Sequence, residues 1–163
     1  MALVPEAVRK TLRELVAGKA PWPLTLTGPV GVGKTCTALA LLDYSGGCYK
    51  TATGLCEALI ECQQGRMDWY KEGRGCTIRP RMFWRILSEE PLVVLDELGI
   101  RGAVTDHHYE AVKTLIEERH RKPLIVISNL DLAAVARVYD ARIASRLAAG
   151  TVLEMVGPDR RLS

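Results

Sequence analysis

Gly28–Thr35 reads GPVGVGKT, and it stands directly after the apolar run LTLT (Leu24–Thr27) and directly before the helical pattern TCTALALL (35–42). The stretch fits G-x-x-x-x-G-K-[ST], and a strand before it and a helix after it are the context that pattern requires. Glycines let the loop fold back with its N–H groups pointing inward, and the start of the helix adds its positive end. Lys34 is placed to reach the outer phosphates of a bound triphosphate, and the Thr35 hydroxyl to hold Mg²⁺. Gly28, Pro29, Val30, Gly31, Val32, Gly33, Lys34, Thr35 and Cys36 are therefore the candidate binding loop, with ATP and Mg²⁺ as its ligands. The competing reading, a chance glycine-rich turn, is disfavoured by the flanking strand and helix.

Outward from this loop, short apolar runs alternate with helical patterns. The strand candidates are residues 24–27, 48–51, 92–95, 124–127 and 151–156, and the helix candidates 6–17, 35–42, 55–63, 81–87, 106–120 and 141–148. LVVL and LIVI are apolar throughout rather than alternating, which is the pattern of parallel strands covered by helices on both faces. The expected class is α/β, with a mostly parallel sheet. With 163 residues, 48% of them hydrophobic, the chain suits one domain with a single sizeable core. Residues 1–23 read as a helix and a connection, and 24–163 as the core. Residues 64–80, QGRMDWYKEGRGCTIRP, lack clear periodicity and read as a surface excursion.

Composition excludes several classes. Five cysteines, an odd number with no C-x-x-C pair, suggest neither a disulfide framework nor a zinc site. The first ten residues hold no apolar run fit for a secretory signal, and no stretch approaches the roughly 18 apolar residues of a membrane helix, so a soluble cytoplasmic protein with no membrane partner is expected. A net charge of +3 permits contact with a polyanion without requiring it.

Two further strands end in polar residues. LVVLDELG (92–99) places Asp96 beside the loop as a Mg²⁺ ligand and Glu97 where it would polarise a water against the γ-phosphate. LIVISN (124–129) ends in Asn129, whose carboxamide would bond both the phosphate and that water; taken alone, an Asn after a strand is more often a turn residue. DARIASRL (140–147) carries Arg142 and Arg146 four residues apart on one helix face, a like-charge pair in need of an anion, with Asp140 as N-cap. His107 and His108 open a helix for which Asp106 is the expected N-cap, and a metal site there is disfavoured.

Taken in order, GPVGVGKT, LVVLDELGI, KTLIEERHRKPLIVISNL and DARIASRL resemble the AAA+ ATPases, and among them the bacterial and phage helicase loaders of the DnaC type, with the transposition helper IstB as kin. The resemblance runs from about Leu24 to Arg161. It implies a five-stranded αβα sandwich without the helical lid of the wider class. It also implies Lys34 and Thr35 as Walker A, Asp96 and Glu97 as Walker B, Asn129 as sensor 1 and Arg146 as an arginine finger. Arg142 and Arg119 are the implied contacts between copies, and Arg160 or Arg161 the substitutes for a sensor 2 arginine. The pattern is broken at the N-terminus: with 27 residues before Gly28, the region by which such loaders grip a helicase is missing. Either a longer chain has been shortened, or the partner surface lies on the ATPase core.

Nucleic-acid binding has two readings. In QGRMDWYKEGRGCTIRPRMFWR (64–85), Arg74, Arg79 and Arg81 stand among Trp69, Tyr70, Phe83 and Trp84, a mixture suited to tracking phosphates and stacking on bases of a single strand. In the other, Phe83 and Trp84 face the core and the arginines are a solvated loop. Trp22, between two prolines, reads as a packing residue. For the whole chain, the first reading is an oligomerising ATPase acting on single-stranded DNA or a DNA-bound helicase or transposase. The alternatives are a small P-loop kinase acting on a nucleotide or metabolite, and a slow ATP-dependent assembly switch.

Overall fold

The computed structural model describes residues 4–71, 74–99 and 104–159, with strand residues 69–71 and 74–75 described by their backbone only. In chain order the elements are α1 (Glu6–Val16), β1 (Leu24–Thr27), α2 (Lys34–Ser45), β2 (Cys48–Thr51), α3 (Ala52–Gln63), β3 (Asp68–Lys71), β4 (Arg74–Thr77), α4 (Pro80–Glu89), β5 (Val93–Leu98), α5 (Asp106–Glu118), β6 (Leu124–Ser128), α6 (Leu132–Val138), α7 (Ala141–Ala148) and β7 (Thr151–Glu154). Five strands form one sheet in the order β2-β5-β6-β1-β7, and every pairing in it is parallel.

That order positions the site. Because β6 lies between β5 and β1, the C-terminal ends of three neighbouring strands carry Asp96, Asn129 and the loop beginning at Gly28. Ligands of open parallel sheets bind outside such ends.

Both faces of the sheet are covered. Val93 and Leu95 join one core cluster with residues of α3, α4, α5, α6 and α7, while Leu92 and Val94 join a second with α1 and α2. The all-apolar character of LVVL follows, since successive side chains enter opposite cores. Each such side chain, fully buried, stabilises the fold by about 1.5–3 kcal/mol.

Local chemistry sets several boundaries. Thr51 accepts from Gly54 N to start α3, Pro80 occupies the first turn of α4, and Asp140 accepts from Ile143 N at 2.8 Å to start α7. The N-cap of α5 is Thr105 rather than Asp106: its Oγ1 meets His108 N and the His108 ring, and Asp106 becomes a first-turn acid. Two features depart from the sequence reading. Part of the 64–80 excursion is an antiparallel hairpin, β3 with β4, and α6 was hidden in a run too short to show periodicity.

Arg119, expected at a contact between copies, is 1% exposed. It closes α5 and donates from Nη1 to the carbonyls of Leu87 and Glu90, at 3.0 and 2.7 Å, and from Nη2 to that of Pro123. The guanidinium gathers carbonyls left over at the end of α4, which is a structural task inside the chain. Among the described residues no helix is long and apolar enough to cross a membrane.

Candidate nucleotide site

The loop after β1 turns on three glycines with positive φ: 129° at Gly28, 84° at Gly31 and 94° at Gly33, the last being the N-cap of α2. Space as well as φ demands glycine at the first of these, because a Cβ on Gly28 would stand 2.1 Å from the Met155 carbonyl oxygen. Val32 is buried, anchoring the loop against the α1/α2 core, whereas Val30 is 53% exposed at its tip. Lys34 is buried and donates from Nζ to the carbonyls of Gly28 and Pro29 at 2.6 and 2.7 Å, so the ammonium is held within the turn. Cys36 is exposed on the first turn of α2.

Across from the loop, Asp96 is buried at the end of β5. Its Oδ2 accepts from Thr35 Oγ1 at 2.7 Å, joining residues 61 apart in sequence, and from the Tyr49 hydroxyl at 2.9 Å; its Oδ1 accepts from Glu97 N at 2.6 Å. Sequence reasoning missed Tyr49. Its strand CYKT is short and half-buried, and only the register that sets Thr51 opposite Asp96, and Tyr49 opposite Val94, brings the phenol near the carboxylate. Burial first, then its hydrogen bond to Asp96, pushes the Tyr49 hydroxyl well above the usual tyrosine range, so it stays a donor.

Glu97 has φ 60°, a left-handed conformation that a non-glycine residue adopts at a cost, and it sits where the β5/β6 register shifts between Leu95 and Leu98. The bulge turns Glu97 outward to solvent while its neighbours Asp96 and Leu98 stay buried. Strained backbone and bulges of this kind concentrate at functional sites. Asn129 is exposed immediately beyond β6, whose last residue, Ser128, bonds the Leu98 carbonyl at 2.7 Å and so ties the two strand ends together.

The residues fit a nucleotide with Mg²⁺. Thr35 and Asp96 supply hard oxygen donors facing each other, and the loop supplies a close backbone approach. No cluster of three or more metal-ligating side chains exists among the described residues. Two protein oxygens completed by phosphate and water is how Mg²⁺ is ordinarily held. An apolar cavity of about 750 Å³, lined by Leu12, Trp22, Leu41 and Ile125 among others, contains none of the loop residues.

The arginine pair lies elsewhere. Arg142 and Arg146 line an open recess of about 600 Å³ on α7 with Glu117 and Ser145, and Arg146 Nη2 pairs with Glu117 Oε1 at 2.8 Å. The expectation that no anion within the chain serves the pair is corrected: α5 provides one. The Tyr109 hydroxyl bonds Asp140 Oδ2 at 2.7 Å, docking the start of α7 on α5 and so fixing this face.

Of the expected nucleic-acid contacts, Arg79 and Arg81 are exposed at the start of α4, and the Arg74, Trp69 and Tyr70 side chains fall outside the described residues. Phe83 is 5% exposed and Trp84 packs edge-on against it at 5.2 Å, so both belong to the core, as the second reading had it. Trp22 packs against the α1/α2 core. Arg160 and Arg161 lie outside the described residues.

No protein-family model and no curated protein sequence matches the chain. Solved structures do. A DnaC helicase loader superposes with TM-score 0.67 at 21% identity, over 92% of this chain and 89% of that one. The replication initiator DnaA bound to AMPPCP and single-stranded DNA gives 0.70 at 18%, over 96% and 48%. AMPPCP-bound DnaA from Aquifex aeolicus gives 0.61 at 20%, over 97% and 50%. The chain spans about half the length of these initiators. Its five-stranded, all-parallel α/β architecture is that of a P-loop AAA+ core, the fold it shares with helicase loaders and replication initiators.

Proposed function

We propose that the chain binds ATP with Mg²⁺ at Gly28–Cys36, hydrolyses it in an oligomer, and acts on single-stranded DNA or on a DNA-bound partner such as a replicative helicase or transposase. The observation that carries this reading is the Thr35–Asp96 hydrogen bond, which closes the loop onto the end of β5 beside an outward-turned Glu97. Thr35 and Asp96 hold the metal, which when bound neutralises charge on the phosphate oxygens. Lys34 leaves its carbonyl partners for the phosphates. Glu97 takes a proton from the attacking water, and Asn129, one strand over, orients that water and senses the terminal phosphate.

Arg146 completes the site from a neighbouring copy, where such a finger contributes on the order of 10³ or more in rate. Its support is the open recess it lines, which contains no loop residue. A DnaC loader and a DnaA bound to single-stranded DNA among the structures of this fold support the replication setting. The exposed Arg79 and Arg81, with Arg74, are the proposed phosphate contacts.

ATP turnover against protein concentration, with and without single-stranded DNA, tests this. Turnover per chain that rises with concentration and with DNA supports it. Turnover proportional to concentration and indifferent to DNA overturns the assembly and leaves a kinase or a slow switch.

A further inference from the structure

We infer that Tyr49 is a positioning residue for the metal ligand Asp96; the inference rests on the nucleotide reading above. Asp96 Oδ2 is shared by two donors, Thr35 Oγ1 at 2.7 Å and Tyr49 Oη at 2.9 Å, and Oδ1 is held by Glu97 N at 2.6 Å. Thr35 is the donor that must turn away to meet the metal. Once it does, the backbone N–H fixes one oxygen and Tyr49 alone among these donors fixes the other, so the carboxylate keeps its direction through the exchange. Partners of this kind orient a ligating group without touching the metal.

The test is ATP binding by the full chain and by Tyr49→Phe, titrated with Mg²⁺ and repeated in excess chelator. Phenylalanine keeps the ring. The half-saturating Mg²⁺ concentration should rise about tenfold in the variant, with metal-free ATP affinity unchanged. An unshifted Mg²⁺ requirement overturns the inference, as does an equal loss of affinity in chelator, which would mean that the phenol merely supports the loop. ATP binding absent from the unsubstituted chain would refute the nucleotide reading itself.

A separate observation concerns Asp159. Beyond β7 the chain stays beside the loop: Met155 N donates to the Thr27 carbonyl at 2.8 Å, and the Met155 carbonyl packs on Gly28. Four residues on, the Asp159 carboxylate lies against Gly31, so close that a Cβ there would stand 1.9 Å from Oδ1. A carboxylate on the turn that receives phosphate is an anion in the place of an anion. We propose that Asp159 is an internal competitor for the triphosphate site, which ATP must displace to bind; this too rests on the nucleotide reading.

Displacement lowers apparent affinity by the fraction of chains with the site open. Asp159→Asn keeps the shape and removes the charge. It should bind ATP, and inorganic tripolyphosphate as a probe without the base, about fivefold or more tighter than the unsubstituted chain. Equal or weaker binding by Asp159→Asn overturns the competitor role. No binding by either chain would instead refute the nucleotide site on which the role depends.

Discussion

Arg146 Nη2 stands 2.8 Å from Glu117 Oε1, an ion pair bridging α7 and α5 with the two side chains 42% and 40% exposed. At that exposure the attraction is screened and offset by side-chain entropy, leaving about 0–1 kcal/mol. Arg146 is therefore cheaply released to a stronger anion, which a finger requires. Glu117→Ala should shift unfolding free energy by less than about 1 kcal/mol in a denaturant titration. A larger loss would mean that the pair is structural and that Arg146 is committed to its own chain.

Arg119 is the contrasting case. It is buried, with its guanidinium on the carbonyls of Leu87, Glu90 and Pro123. Arg119→Met fills much of the volume but strands those carbonyls, and should cost on the order of 3 kcal/mol, read by the same titration. Glu117→Ala and Arg119→Met thus separate a surface arginine contact from an interior one.

Backbone N–H of Ile143, and then the Tyr109 hydroxyl, hold the Asp140 carboxyl below the usual aspartate range. A group depressed in the folded state contributes stability above its unfolded value and loses it as pH falls through the folded one. Asp140→Asn retains a capping acceptor but cannot titrate. Its stability should fall less steeply than that of the unsubstituted chain between about pH 5 and pH 2 in equilibrium unfolding.

Gly28→Ala meets two obstacles, φ 129° and a Met155 carbonyl oxygen 2.1 Å from the new Cβ. Neither partner is a flexible side-chain end, so backbone must move. ATP affinity should fall at least about tenfold while the sheet persists, measured by nucleotide titration alongside circular dichroism.

How much of this was legible in the sequence depended on how local each signal was. GPVGVGKT, LVVLDEL and LIVISN declared both their strands and their polar ends, because buried parallel strands are apolar throughout. The α6 helix was not legible: LAAVARV buries only Val135, and its start signal, Asp131 accepting from Ala134 N, is one residue long. The β3–β4 hairpin failed for a related reason, since four-residue strands such as RGCT carry no usable alternation. Tyr49 and Glu117 are the instructive misses. Each acts across elements, one through strand register and the other through helix docking, and neither relationship leaves a trace in local spacing. Arg119 misled because a basic residue ending a helix looks the same whether it meets solvent or buried carbonyls.

The claim that hydrolysis is completed by Arg146 of a second copy is tested most directly by mixing two inactive variants. Arg146→Ala should bind ATP almost as the unsubstituted chain does and turn it over at least about 10³-fold more slowly, and Glu97→Ala should bind and not turn over. Mixed, they form interfaces where an intact Glu97 faces an intact Arg146, and turnover should reappear. No recovery on mixing, with both variants folded and ATP-bound, would contradict an arginine acting between copies.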